Sequence, residues 1–263
     1  MKSYTKESLI EELIKIKEMG WIENQRHGND GGIGNTLEDL LDIEENNLPI
    51  PNAAEWELKT QRAGTSSLNT IFHMEPSPRA YRFVPQIFLL NYGWRHEKAG
   101  SKYPESEMSF RQTIRGGKIT DRGFGFKIDQ ENRKVIVTFD HTKVSERHKD
   151  WLENVRKKIG LGPLIPAPYW GFDDLGHKTG TKLLNCFFVR AEVKRVDGKQ
   201  YFWYKTIMML SKFSTAKFID ALSSDYVYID FDARTGHNHG TKFRLKQNSL
   251  PLLYDNARII SDT

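Results

Sequence analysis

Two long β-prone runs, residues 186–196 and 200–210, flank Asp197-Gly198, the strongest hairpin signal in the chain. Asp-Gly suits a two-residue turn because both central residues must take positive φ, which a β-branched side chain resists. A ribbon of that length commits the chain to a sheet core. Further strands are expected at 55–60, 68–73, 226–231 and 241–245, and at the β-branched run Val135-Ile136-Val137-Thr138-Phe139. Helical periodicity marks 5–19, where Leu9, Leu13 and Ile16 share a face and Gly20 stands ready to end the helix. A second helix is expected to start at Thr36, with Thr36 as cap, Asp39 completing a capping box and Leu37, Leu40 and Leu41 facing the core. Residues 79–90 suit a helix after Pro85, and 215–222 a short amphipathic one. Prolines at 163, 166 and 168 mark 160–170 as an exposed linker or arm. The expected class is mixed α/β (α+β), a sheet core decorated by basic loops.

The 263 residues allow one large domain or two small ones. A content of 38% hydrophobic and 28% charged residues is globular and argues against disorder. The net charge of +5 permits a polyanionic partner without requiring one. Cys186 is the single cysteine, so an internal disulfide and a cysteine-based zinc site are excluded. It lies in the apolar run Leu183-Leu184-Asn185-Cys186-Phe187-Phe188, which predicts a buried thiol. No stretch approaches membrane-spanning length and no signal-peptide core is present, so a cytoplasmic location is expected.

Chemistry concentrates in the stretch from Leu48 to Thr60, where Pro51-Asn52 precedes Ala53-Ala54-Glu55-Trp56-Glu57-Leu58-Lys59. On a strand, Glu55, Glu57 and Lys59 project from one face while Trp56 and Leu58 take the other. Carboxylates beside an ammonium suit phosphodiester hydrolysis with a divalent cation, the lysine orienting the attacking water. Spacing alone proves little, since Glu192-Val193-Lys194 repeats it and predicts only a solvated strand pair. What distinguishes the first copy is Asn52 five residues upstream of Glu57, and Glu38 on the preceding helix. Glu38 also has a plain explanation in the helix dipole. The polar, glycine-rich segment 21–33 is either a flexible connection or a backbone that must approach something closely, and it lacks the Gly-Lys-Ser/Thr ending of a P-loop. A second concentration runs from Asp230 to Arg244 and contains Asp232, Arg234, His237, Asn238, His239 and Lys242. Read as a mobile loop, it suits phosphate and base-edge contacts. His237 and His239 also suit a metal, but no third ligand is spaced to join them.

Taken with Glu38, Asn52, Glu57, Lys59 and the histidine segment, the chain resembles the MvaI/BcnI group of type II restriction endonucleases, related to the mismatch-repair nickase MutH. The matching stretches are Gly20-Trp21, Arg26-His27-Gly28-Asn29, the run from Gly32 to Leu41, Glu44-Glu45-Asn46-Asn47-Leu48, the run from Pro51 to Thr60, and the run from His237 to Arg244. The resemblance implies a restriction-endonuclease-like PD-(D/E)XK core, a mixed central sheet flanked by helices, with a DNA-recognition subdomain. It further implies a monomer with two lobes, a catalytic one from about 1–75 with parts of 130–210, and a recognition one from about 76–130 and 211–263. The implied activity is sequence-specific cleavage of double-stranded DNA with Mg2+, leaving 5′-phosphate ends, in a host that also carries a cognate DNA methyltransferase. By position, Glu57 is the metal-binding glutamate, Lys59 the catalytic lysine and Glu38 a helix acid lining the site. Arg26, His27, Asp230, Asp232, Arg234, His237, His239, Lys242 and Arg244 fall where the family contacts DNA.

Asn52 departs from the pattern, because the resemblance places a metal-bridging aspartate there. An amide oxygen still coordinates magnesium but lacks the charge that makes a carboxylate a strong ligand. Three accounts stand: an engineered inactivation, a naturally crippled member, or a site in which Glu55 or Glu38 supplies the missing charge. The expected metal set is therefore Asn52, Glu57 and Glu55. A non-catalytic DNA-binding protein of the same fold and a MutH-like strand-nicking enzyme are the alternatives.

Overall fold

The computed structural model describes residues 4–26, 32–43 and 55–262. Among them the helices are α1 (Lys6–Glu18), α2 (Gly32–Leu40), α3 (Leu89–Tyr92), α4 (Lys149–Ile159), α5 (Phe172–Lys182) and α6 (Thr215–Ser223). The strands begin with β1 (Ile22–Glu23), β2 (Glu57–Arg62), β3 (Asn69–His73), β4 (Trp94–Arg95), β5 (Met108–Arg115), β6 (Phe124–Asp129) and β7 (Lys134–Phe139). They continue with β8 (Tyr169–Gly171), β9 (Asn185–Val196), β10 (Lys199–Phe213), β11 (Val227–Arg234), β12 (His237–Leu245) and β13 (Tyr254–Ser261). The class is mixed α and β, as the sequence predicts. The chain divides into two compact units, one of Met1–Ser67, Gly176–Lys217 and Lys246–Thr263, the other of Leu68–Leu175 and Phe218–Leu245.

The first unit is built on the predicted hairpin. β9 and β10 pair antiparallel, with Val196 opposite Lys199 and both Asp197 and Gly198 at positive φ, the geometry that selects Asp-Gly. β2 joins β9 in parallel, with Glu57 opposite Cys186, so this sheet is mixed; β1 and β13 lie along the far edge of β10. Period-two alternation sends Trp56 and Leu58 to one face of the sheet, where they meet Leu9, Leu13 and Ile16 of α1 and Ile33 and Leu37 of α2. Glu57 and Lys59 take the opposite face. α1 is fixed at its start by a capping box between Thr5 and Ser8.

The second helix starts earlier than the sequence suggests. α2 opens at Gly32, and Thr36 sits buried in its middle, its hydroxyl donating to Asn24 Oδ1 at 3.3 Å instead of capping. Asp39 pairs with Arg26 and completes no box. The glycines that read as loop mark close approaches: a Cβ on Gly32 would meet Asn24 Nδ2 at 2.7 Å, and one on Gly34 would meet Thr60 Oγ1 at 3.3 Å. A helix can run through them because the packing they permit offsets their low propensity.

The second unit holds an antiparallel sheet ordered β3-β12-β11-β5-β4 and a smaller one ordered β6-β7-β8. Aromatic rings fill the space between elements: Phe88 packs against Phe110, Phe124 and Phe231, and Trp170 contacts Phe231 and Phe243. Residues 79–90, expected to turn helical after Pro85, are a 3-10 turn (Arg79–Tyr81), a π-helical turn (Phe83–Phe88) that already contains Pro85, and the start of α3.

The expected mobile loop from Asp230 to Arg244 is largely strand. β11 and β12 form a hairpin around Gly236, with Arg234 opposite His237. Between the pairs Phe231–Thr241 and Ala233–Asn238, β12 carries one more residue than β11, a bulge at which Gly240 takes φ +79°. That extra residue reverses the alternation. Lys242 and Arg244 precede it on the polar face in pairing order, and His237 and His239 are brought to the same face instead of the core side. β1, β4, β5, β6, β8, β13, α4 and α5 have no counterpart in the sequence reading. Among the described residues no helix is long and apolar enough to cross a membrane.

Candidate active site

Glu57 is buried to 1% exposure. Its Oε1 receives Lys59 Nζ at 2.9 Å, and Lys182 Nζ lies 3.7 Å from the same oxygen. Its Oε2 is buried and has no hydrogen-bond partner among the described residues. A buried anion is stable only when paired, and here the pairing is concentrated on one oxygen. The other is an oxygen donor that no described residue engages. Both lysine side chains keep about a quarter of their surface exposed, so the cluster opens to solvent on the ammonium side.

The neighbourhood is set by register. Across the parallel pair, Lys59 faces Phe188 and Gln61 faces Arg190. Gln61 is buried and held by Asn248, donating to its Oδ1 at 2.8 Å and accepting its backbone N–H at 3.1 Å. Arg190 carries a buried Nε without a hydrogen-bond partner among the described residues. Cys186, opposite Glu57, is fully buried as expected; burial pushes its thiol up to about 12, so it is protonated and no nucleophile at neutral pH.

Of the other predicted residues, Glu38 lies on α2 one turn beyond Gly34, the residue that rests against Thr60 of β2. Glu55 is exposed in the turn before β2 and is not a strand residue, so the expected three-residue face reduces to Glu57 and Lys59. Arg26 is engaged by Asp39 in a two-pronged ion pair. Asn52 and His27 lie outside the described residues. Among those described, no three of His, Cys, Asp and Glu gather as a metal site. The second Glu-X-Lys lies at the surface as expected, but its two side chains take separate partners: Glu192 takes Lys205 at 2.9 Å from the facing strand, and Lys194 lies over the Trp21 ring. Sequence inspection missed Lys182, for which no local motif exists.

The polar face of the second unit's large sheet gathers the other predicted group. Asp230 accepts from Thr113 at 2.8 Å and Arg244 at 3.3 Å; Asp232 accepts from Arg111 at 2.9 Å and Lys242 at 3.2 Å. Burial pushes the Asp232 carboxyl up, but the Lys242 hydrogen bond and the charges of Lys242, Arg111 and His239 hold it below the usual carboxylate range. His237 Nε2 lies 3.3 Å from His239 Nδ1, and burial lowers His239 below its ordinary value, leaving that ring neutral at pH 7. Arg234 pairs with the buried Glu107 and stacks over Tyr103. Arg111, Thr113 and Arg115, which share this face from β5, were not foreseen; their alternation with Phe110, Gln112 and Ile114 was the available signal, broken by a buried glutamine. The opposite face is apolar apart from the buried Gln112 and Thr241, with Phe110, Ile114, Ile229, Phe231 and Phe243 all fully buried.

A family model described as the MvaI/BcnI restriction endonuclease family matches residues 10–254. Among solved structures, restriction endonuclease MvaI in complex with its cognate DNA substrate aligns with a TM-score of 0.75 at 25% identity, covering 98% of this chain and all of that one. MvaI solved in the absence of DNA aligns with a TM-score of 0.55 at the same identity, covering 99% of this chain and all of that one. No curated protein matches.

Proposed function

Since the chain belongs to the MvaI/BcnI restriction endonuclease family, we propose that it is a sequence-specific endonuclease of double-stranded DNA that uses Mg2+ and leaves 5′-phosphate ends. The observation that carries the site is Glu57: a buried carboxylate with one oxygen on Lys59 and the other without a partner among the described residues. An orphaned carboxylate oxygen is the kind of donor a hard divalent cation takes, so the residues present fit a magnesium ion. Glu57 would hold it with Asn52, and with Glu38 or Glu55 where charge is lacking. When bound, the cation would supply positive charge against the negative charge that develops on the phosphate oxygens.

In this reading Lys59 orients the water for in-line attack and Glu57 fixes the lysine. Cutting belongs to the first unit and reading to the second, where Asp230, Asp232, Arg234, His237, His239, Lys242 and Arg244 meet DNA; Arg26 and His27 contact it from the first. The acids of that sheet preset the direction of the basic side chains, as bidentate base contacts require. The enzyme acts as a monomer in the cytoplasm, beside a methyltransferase that protects host DNA at the same sequence.

Digestion of plasmid DNA of known sequence with magnesium or manganese tests this. Asn52→Asp is expected to raise cleavage, because a carboxylate binds a hard cation more strongly than an amide does. Lys59→Ala is expected to abolish it, and a purified activity that survives this change unaltered overturns the site. Asn52 itself favours a second reading, a protein that binds a DNA sequence without cutting. Its signature is selective, salt-sensitive binding with no cleavage in any metal and no rescue by Asn52→Asp.

A further inference from the structure

β3 ends at His73, opposite Lys242 of β12, and the next residue still holds to the ladder: the Met74 N–H donates to Thr241 O at 3.0 Å. The return bond of an antiparallel pair would run from the Thr241 N–H to Met74 O. That carbonyl is taken instead by the indole N–H of the buried Trp170, at 3.0 Å. Thr241 is fully buried, so its own N–H needs another acceptor. Glu75 provides it.

Three donors converge on the Glu75 carboxylate. Oε1 accepts the Thr241 N–H at 3.0 Å and Asn238 Nδ2 at 3.4 Å, and Oε2 accepts the Thr241 hydroxyl at 3.1 Å. Asn238 turns its Oδ1 back to accept the Gly240 N–H, also at 3.0 Å. Asn238 and Thr241 flank His239-Gly240, so a single carboxylate spans the bulge of β12. All three donors are neutral, whereas Asp230 and Asp232 on β11 take cations. A carboxylate bonded in this way opposes a polyanion, and what it contributes is the fixing of the strand.

Resting on the reading above, in which the hairpin of β11 and β12 meets DNA, we propose that Glu75 is a positioning residue for sequence reading. It clamps both sides of the bulge at Gly240, and that bulge brings His237 and His239 to the polar face. A base edge is read only by side chains held in a narrow range of position and direction. Glu75 touches no base in this assignment and acts through the two histidines.

The experiment starts from a duplex selected by the full-length protein from a randomised pool in calcium. Discrimination is then the ratio of affinities for that duplex and a scrambled one. Glu75→Gln keeps the shape but leaves one accepting oxygen where three donors converge. It is expected to lower discrimination about tenfold, as when one base contact is lost, while the slope of log affinity against log salt stays that of the parent. In a background of His237→Ala with His239→Ala, the same change is expected to cost no further discrimination, because residues that act as one unit do not combine additively. An equal loss in both backgrounds overturns the assignment, since Glu75 would then serve only the fold, and so does an unchanged ratio in the parent background. If Glu75→Gln does not fold, as judged by its melting curve, Thr241→Val decides: it removes the bond to Oε2 alone, and undiminished discrimination overturns the clamp. Full discrimination in the histidine double variant removes the histidines as readers and Glu75 with them. Failure of the parent to select any duplex overturns the nuclease reading itself, and this assignment with it.

Discussion

Burying Glu57 removes a carboxylate from water at a cost of several kcal/mol unless its oxygens find partners, and the described residues supply them to Oε1 alone. Glu57→Gln keeps the shape, but it takes the counter-charge from two ammoniums and puts an amide where one oxygen must accept. Cleavage is expected to fall by at least about 10²-fold, as when a preset charge is lost from an active site. Stability should fall by on the order of 1–2 kcal/mol, between the values for exposed and buried ion pairs, because both lysines keep solvent contact. Steady-state cleavage and a urea titration of the same preparation check both figures; a glutamine variant that cuts as fast as its parent removes Glu57 from the site. Glu57 and Lys59 were legible because the strand period is two, which puts residues two apart on one face whatever surrounds them. Glu55 was not, because pairing with β9 begins at Glu57 and Glu55 lies in the turn before the strand. Lys182 was illegible in principle, since a parallel partner 123 positions along the chain from Lys59 brings it in, and that distance leaves no local pattern.

At the scale of elements, the long antiparallel hairpin could be read from Asp197-Gly198 and its flanks, because turn chemistry and β-branching act over a few residues. α5 was hidden by Gly176, Thr179, Gly180 and Thr181, residues that lower helix propensity and carry no apolar periodicity. Gly176 has a tertiary reason that its neighbours in sequence do not reveal: a Cβ there would meet Thr215 Oγ1 at 2.9 Å. The hairpin of β11 and β12 shows the same limit. Its strands were predicted at both ends, and its centre read as loop because Gly236, Gly240 and two histidines break the alternation. Gly240 is a bulge residue whose positive φ turns His237 and His239 to the face of Asp232. A Cβ at Gly240 would find Glu75 and His73 no nearer than 3.5 Å, so the strain of replacement is in the backbone and not in crowding. Gly240→Ala is expected to cost about 1 kcal/mol and to weaken sequence-selective DNA binding while leaving far-UV circular dichroism unchanged. Equal loss of selective and non-selective binding would show that the bulge supports the fold without aiming the histidines.

At the scale of the molecule, the two proposed tasks lie in separate compact units, the carboxylate–lysine cluster in one and the charged sheet face in the other. That separation has a consequence for mutants. Changes confined to one unit should alter one step and spare the other, since sites without shared partners combine additively. Lys59→Ala is expected to abolish cutting while keeping the affinity of the parent for a selected duplex to within about twofold. Arg111→Ala with Lys242→Ala removes both cations from Asp232, leaving its carboxylate to repel DNA. This pair should lower affinity by about 10²-fold and reduce the salt slope by up to about two, one for each phosphate that the pair no longer neutralises. If the slope holds while discrimination between the selected duplex and a scrambled one collapses, the two cations read bases and neutralise no phosphate. If both variants lose binding and cutting in the same proportion, the tasks are not separable by unit, and the charged face and the Glu57 cluster act on the DNA as one site.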